Sequence, residues 1–190
     1  AAILTGIRAG TSEIVCSIDC DCTYDPQRLA DMIPLLTERV DLVTASPYHP
    51  QGSVKNVQGW RLALSRSASR LYRAILRQKL HTYTSCFRVY RRSSIIALDI
   101  RDSGYLGLVE LLGKLDLAGG TIVECPAVLE ARLLGQSKMK VAKNVCRHLG
   151  QLARLAWLRV RPPATAAGAQ QYHGATSSAV VRARRGPGTL

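Results

Sequence analysis

Ile14-Val15-Cys16-Ser17-Ile18-Asp19-Cys20-Asp21 is a short apolar run that ends in two carboxylates one residue apart. A run of this length bounded by polar residues reads as a buried strand, and in open α/β sheets ligands collect beyond the carboxyl ends of strands. The two aspartates therefore stand where a ligand would bind. Carboxylate oxygens are hard donors for Mg²⁺ or Mn²⁺, which also take diphosphate oxygens, so an Asp-x-Asp at a strand end suits a metal-bridged nucleotide diphosphate. The competing reading is a turn in which Asp19 and Asp21 cap the helix that begins near Pro26.

Outward from this run the chain alternates helix and strand. Residues 1–9 read as a helix, and residues 26–36 as a short helix with Leu29, Ile33 and Leu36 along one side. Asp41-Leu42-Val43-Thr44-Ala45-Ser46 reads as a second strand, so that strand, helix, strand make a parallel unit of the α/β class. After a loop with Pro47, Pro50 and Gly52, residues 57–79 predict a long helix. It places Leu64, Ala68, Leu71 and Ile75 on one side and Arg66, Arg70, Arg73 and Arg77 on another. Residues 84–90 read as a strand ended by Arg91 and Arg92, residues 104–118 as a helix stopped at Gly119-Gly120, and residues 121–125 as a strand broken at Pro126, which an edge tolerates. Residues 137–159 are helical again, with Val141, Val145, Leu149, Leu152 and Ala156 alternating with Lys143, Arg147 and Arg154. From Pro162 the composition turns to Ala, Gly, Ser, Pro and Arg, and a disordered tail over residues 161–190 is expected.

Composition bounds the function. The chain has 190 residues, enough for one domain with a full core, and its 47% hydrophobic content argues against global disorder. It starts inside a helical pattern with no methionine, so an N-terminal part of the fold is expected to be missing. No apolar run reaches the ~20 residues needed to span a bilayer, and any membrane contact is expected to be peripheral. Six cysteines (16, 20, 22, 86, 125 and 146) fall in apolar strand or helix contexts without metal-clip spacing, and read as reduced thiols of a cytoplasmic protein. The net charge of +13 is uneven: ten Lys or Arg and no acid lie between Asp41 and Asp99, and eleven more with no acid follow Glu130. Anionic partners are implied. With one Phe and no aromatic-and-basic ladder, nucleic acid is not expected among them.

Two further groupings suit phosphate. Arg61 and Ser65 are four apart and share a helix face, offering a guanidinium fork and a hydroxyl to one phosphate, or else a solvated helix start. In Arg132-Leu133-Leu134-Gly135-Gln136-Ser137-Lys138 a glycine permits a tight loop into a helix start, flanked by two cations, suited to clamping a diphosphate; the alternative is a basic surface turn. The arginine stripe of the long helix and the last helix, which joins Trp157 and leucines to a basic face, are candidates for a membrane interface, with a solvated face or packing on the domain as the alternatives. His81 and His148 are assigned no role.

The order of these pieces resembles the family 2 glycosyltransferases, specifically the dolichyl-phosphate or polyprenyl-phosphate mannosyltransferases and their bacterial relatives. The resemblance covers residues 1–158: Asp19-Cys20-Asp21 followed by Pro26, Trp60-Arg61 with Ser65, Thr84-Ser85-Cys86-Phe87-Arg88-Val89-Tyr90-Arg91-Arg92, Glu124-Cys125-Pro126, and Arg132-x-x-Gly135-x-Ser137-Lys138. It implies an α/β, A-type (Rossmann-like) glycosyltransferase fold with a parallel-rich mixed sheet whose first strands are missing, filling residues 1–160 as a partial catalytic domain. It further implies that Asp19 faces the nucleotide sugar, that Asp21 with Asp19 holds Mg²⁺ or Mn²⁺, that Arg132, Ser137 and Lys138 bind the donor phosphates, and that Arg61 and Ser65 hold the acceptor phosphate. Asp19, Asp21 and Arg132 would be the catalytic set. The implied reaction moves mannose or glucose from a GDP-mannose or UDP-glucose type donor to a polyprenyl phosphate, with inversion, at the inner face of a membrane. A family 2 transferase acting on a saccharide, or a basic membrane or nucleic-acid binding module without catalysis, are the alternatives. The chain departs from the pattern at Pro47, where many relatives have arginine, at Thr23, where many have glutamine, and at Cys86, a common glycine position.

Overall fold

The structure, a computed structural model, describes residues 2–102, 104–131 and 141–161. The predicted tail from residue 162 and the loop carrying Arg132, Ser137 and Lys138 lie outside the described residues. In chain order the elements are α1 (Ala2–Ala9), β1 (Ile14–Ser17), a 3-10 turn (Pro26–Arg28) leading into α2 (Leu29–Leu35), β2 (Leu42–Ser46), β3 (Ser53–Lys55), α3 (Gly59–Ile75), β4 (Arg88–Arg91), α4 (Arg92–Ile96), α5 (Leu106–Leu117), β5 (Ile122–Pro126), β6 (Val128–Glu130) and α6 (Val141–Val160).

Four strands form one mixed sheet in the order β1-β4-β2-β5. β1 and β2 run in the same direction, as the strand-helix-strand pattern implies, but β4 lies between them and is antiparallel to both, Val15 facing Tyr90 and Val43 facing Val89. An α-helical crossover is about 10 Å wide while strands are about 4.8 Å apart, so α2 leaves a slot one strand wide, which β4 fills. β5 is parallel to β2 and ends at Pro126 on the sheet margin, where a missing N–H is harmless. A second, two-stranded parallel sheet of β3 and β6 ties the loop after β2 to the segment after β5.

Alternation along the strands splits the core in two. Val43, Ala45, Val89, Phe87 and Cys125 pack with Met32 and Leu36 on one face. Leu42, Tyr90 and Ile122 pack on the other face with residues of α1, α3, α5 and α6, among them Ile7, Tyr72, Leu112 and Leu155.

Several predicted faces are rotated. On α2 the buried positions are Met32 and, just past its end, Leu36, while Ile33 is 39% exposed. On α3 the core takes Ser69 and Tyr72 and, beyond the end of the helix, Leu76, and leaves Leu64 and Leu71 exposed. The helix ends at Ile75 rather than Lys79 because Leu76 turns extended, and Asp116 then accepts the backbone N–H groups of Arg77 and Gln78 at 2.7 and 2.8 Å. On α6 the buried residues are Gln151, Leu152 and Leu155, with Val145 and Leu149 outside, because Leu155 fills the space over Gly113 on α5. Residues 84–87 precede β4 as irregular chain, held by the Ala45 N–H on the Phe87 carbonyl at 2.9 Å and by the Ser17 hydroxyl on the Cys86 carbonyl. Cys20 and Cys22 lie in an exposed loop rather than in an apolar element.

Candidate active site

The carboxylate pair stands in the loop that leaves β1. Ser17 fixes the strand end by donating to the Cys86 carbonyl at 2.6 Å, and its hydroxyl meets the Tyr90 hydroxyl at 2.9 Å. Asp21 Oδ1 accepts the Thr23 N–H at 3.2 Å and the Thr23 hydroxyl at 2.8 Å, closing a small turn around Cys22, whose φ of 57° is in the left-handed region. Asp19 Oδ2 accepts from the Cys86 thiol, which is buried; burial and the Asp19 carboxylate both push that thiol's pKa well up. The cap of the following helix is another residue: Asp25 Oδ1 accepts the Gln27 N–H at 2.9 Å, with Pro26 at the first position. Asp19 and Asp21 are thus not spent on a helix start.

Asp19 opens onto a cavity of ≈ 150 Å³. Ser65, Thr82, Thr84, Ser85, Tyr48 and Tyr105 contribute to its walls. Pockets that enclose a drug-sized ligand hold roughly 300–1,000 Å³, so this one has room for a sugar or a phosphate group with the remainder of a nucleotide outside. Apart from Asp19 the walls are uncharged and rich in hydroxyls, several of them hydrogen-bonded to one another or to their neighbours. The Ser65 and Thr84 hydroxyls are 3.1 Å apart, those of Ser46 and Thr82 are 2.9 Å apart, and Tyr105 donates to the Thr84 carbonyl at 2.5 Å.

Two charges, the partly buried Glu124 and the fully buried Arg88, hold the wall in place. Glu124 on β5 accepts the backbone N–H groups of His81 and Thr82 at 2.9 Å and meets His81 Nδ1 at 2.8 Å. Arg88, fully buried, donates to the Tyr83 carbonyl at 2.8 Å and the Leu108 carbonyl at 2.6 Å, tying the same loop to α5. A buried ion is costly unless its hydrogen bonds are made, so both side chains commit the loop to one conformation. Neither role was assigned from the sequence; the available signal was a single acid in the otherwise apolar run Thr121-Ile122-Val123-Glu124-Cys125 and a single cation in Phe87-Arg88-Val89-Tyr90. Thr82, Tyr48 and Tyr105 were also missed, having no spacing that marks them.

Of the predicted site residues, the structure brings Asp19 and Ser65 to one cavity, though they are 46 positions apart in the chain. Arg61 stands one turn before Ser65, half-buried, with its guanidinium 5.1 Å from the Trp60 ring and its Nε without a hydrogen-bond partner among the described residues. Asp21 is turned to Thr23 within the same loop as Asp19. The donor set is chemically right for Mg²⁺ or Mn²⁺: two carboxylates on one short loop, leaving the other positions of an octahedral ion to phosphate oxygens and water. Among the described residues no group of three or more His, Cys, Asp or Glu side chains is arranged to hold a metal ion.

Comparison with known proteins gives a consistent picture. Residues 1–98 match the model of "Glycosyl transferase family 2". The chain is 32% identical over 137 residues to a polyprenol monophosphomannose synthase of Mycolicibacterium smegmatis, covering 70% of this chain and 51% of that protein. It is 31% identical over 175 residues to an undecaprenyl-phosphate mannosyltransferase of Micrococcus luteus, covering 84% of this chain and 70% of that protein. Among solved structures it resembles glucosyl-3-phosphoglycerate synthase of Mycobacterium tuberculosis in complex with phosphoglyceric acid, with a TM-score of 0.60 and 20% identity, over 86% of this chain and 55% of that one. The same enzyme with Mn²⁺, UDP and glucosyl-3-phosphoglycerate gives a TM-score of 0.58. The fold is therefore the A-type glycosyltransferase fold that the sequence led us to expect. The chain spans about half the length of the Mycolicibacterium protein and of the synthase.

Proposed function

Because this chain belongs to glycosyl transferase family 2, we propose that it carries the metal and acceptor portion of an enzyme that moves a hexose, mannose or glucose, from a nucleotide diphosphate sugar to a polyprenyl phosphate. The observation that supports this most directly is the shared cavity: Asp19, from the carboxylate loop, and Ser65, one turn after Arg61, whose Nε has no hydrogen-bond partner among the described residues, line the same space. A donor at the carboxylates and an acceptor phosphate at α3 would then meet there. The relatives' names point to the same acceptor class.

In this reading an oxygen of the acceptor phosphate attacks the anomeric carbon, the bond from that carbon to the diphosphate breaks, and configuration inverts. A phosphate monoester is already ionised near neutral pH, so the side chains need not remove a proton. Asp19 and Asp21 would hold the metal, and Ser65 and Arg61 would orient the attacking phosphate. Mg²⁺ or Mn²⁺, when bound, offsets the charge growing on the leaving diphosphate. The proposed setting is the cytoplasmic face of a membrane: among the described residues no helix is long and apolar enough to cross one, while α3 exposes Trp60, Leu64 and Leu71 beside its arginines.

The test is transfer of label from a panel of nucleotide sugars to a prenyl phosphate by the intact protein, counted in the organic phase with Mg²⁺ or Mn²⁺ and with chelator. Metal-dependent label in the lipid is expected, and Asp21→Ala is expected to reduce it by about two orders of magnitude or more, the scale of a Lewis-acid contribution. Absence of lipid label with every donor overturns the acceptor class.

A further inference from the structure

We infer that Arg66 is a second cation of the acceptor-phosphate site, presented to it by Tyr48; the inference rests on the acceptor reading above. Arg66 follows Ser65 on α3, and its guanidinium carbon lies 5.2 Å from the centre of the Tyr48 ring. Both Ser65 and Tyr48 line the cavity beside Asp19. Of the three arginines in the exposed stripe of α3 (66, 70 and 73; Arg77 lies past the helix end), Arg66 is the one with such a ring contact among the described residues.

The geometry suits anion capture. A guanidinium that lays its face on an aromatic ring keeps the N–H groups of its edge free, and the stack removes much of the rotamer freedom that a free arginine would lose on binding. Successive residues of a helix are 100° apart, so Arg61 and Ser65 differ by 40° and Arg66 lies 100° further round. Around the helix axis the two arginines thus stand on either side of Ser65, next to the cavity wall that Ser65 and Tyr48 form. A phosphate monoester carries about one and a half to two negative charges near neutral pH, more than Arg61 alone offsets. Neither Arg61 nor Arg66 makes a salt bridge among the described residues, and the chain from residue 42 to 98 contains no acid, which leaves Asp19 as the carboxylate of the cavity wall. The same arrangement would serve any acceptor that offers a monoester phosphate, lipid or small and soluble.

The experiment is calorimetric titration of the intact protein with farnesyl monophosphate, with 3-phosphoglycerate and with inorganic phosphate. The variants are Arg61→Ala, Arg66→Ala, Arg66→Lys, Tyr48→Phe and Tyr48→Ala, with Arg70→Ala as a stripe control. Loss of one charge-assisted contact predicts about tenfold weaker binding for Arg66→Ala. Arg66→Lys is expected to recover little of it, Tyr48→Phe to bind as the parent does, and Tyr48→Ala to fall between. Farnesyl phosphate bound in preference to phosphoglycerate identifies a lipid acceptor, and the reverse a soluble one; either supports the role of Arg66 if Arg66→Ala weakens it. If Arg61→Ala weakens binding and Arg66→Ala matches Arg70→Ala, the Arg66 inference falls and the acceptor reading stands. If the parent protein binds none of the three, the acceptor reading falls and takes Arg66 with it.

Discussion

At the residue scale, the choice between a metal pair and a helix cap was open in the sequence because Asp19, Asp21 and Asp25 all precede the same helix. The structure separates them by one hydrogen bond, Asp25 to the Gln27 N–H. Asp25→Ala is therefore expected to lower stability by about 1 kcal/mol with donor binding retained, and Asp21→Ala to abolish metal-dependent donor binding with little change in unfolding; urea melts and nucleotide titrations check the pair. Glu124 shows what spacing could not reveal. It stabilises a loop some 43 residues away in the chain, and nothing local to Ile122-Val123-Glu124 marks that partner. With three N–H groups depending on it, Glu124→Ala is expected to cost roughly 3 kcal/mol, measured by urea unfolding, and to weaken ligand binding through displacement of Thr82 and Thr84.

At the element scale, the positions of the longer helices were legible; their rotations, and the end of α3 at Ile75 rather than Lys79, were not. α3 has apolar residues on too wide an arc for periodicity to choose among them. The core took the arc with Ser69 and Tyr72, since serine is small enough to admit a neighbour and the Tyr72 hydroxyl finds His148 Nδ1 at 3.0 Å on α6. This leaves Trp60 (48% exposed), Leu64 and Leu71 as a second, uncovered stripe beside Arg66, Arg70 and Arg73. Such a face suits an interfacial helix on anionic lipid. The intact protein is expected to float with vesicles containing anionic phospholipid and not with neutral vesicles, and replacing Leu64 and Leu71 together by serine is expected to release it. Equal flotation of the double variant would remove α3 as the contact. The short elements β3, α4 and β6 were not foreseen, because three to five residues carry too little periodicity to register.

At the scale of the whole molecule, α6 is fastened across α3 and α5 at a titratable point. His148 bonds Tyr72, and its ring stands edge-on to Tyr105 of the cavity wall; burial first, and Arg147 second, lower its pKa. Arg147 itself is paired with Asp102 at 2.7 Å. A histidine depressed in the folded state binds its proton more readily when unfolded, so stability is full above the unfolded value of about 6.5 and falls as pH drops through the interval down to the folded value. The thermal midpoint is expected to decline below about pH 6.5, and His148→Gln to flatten that decline; an unchanged slope would assign it to other groups. The sheet carries a last consequence, for handling. β1 bonds β4 on one side only among the described residues, and Ile14, Cys16 and Ile18 beside it are exposed. Unpaired backbone groups flanked by apolar side chains take up another strand edge to edge. In this stretch of chain taken by itself, light scattering should therefore climb with concentration, and Cys16→Lys should keep the preparation clear.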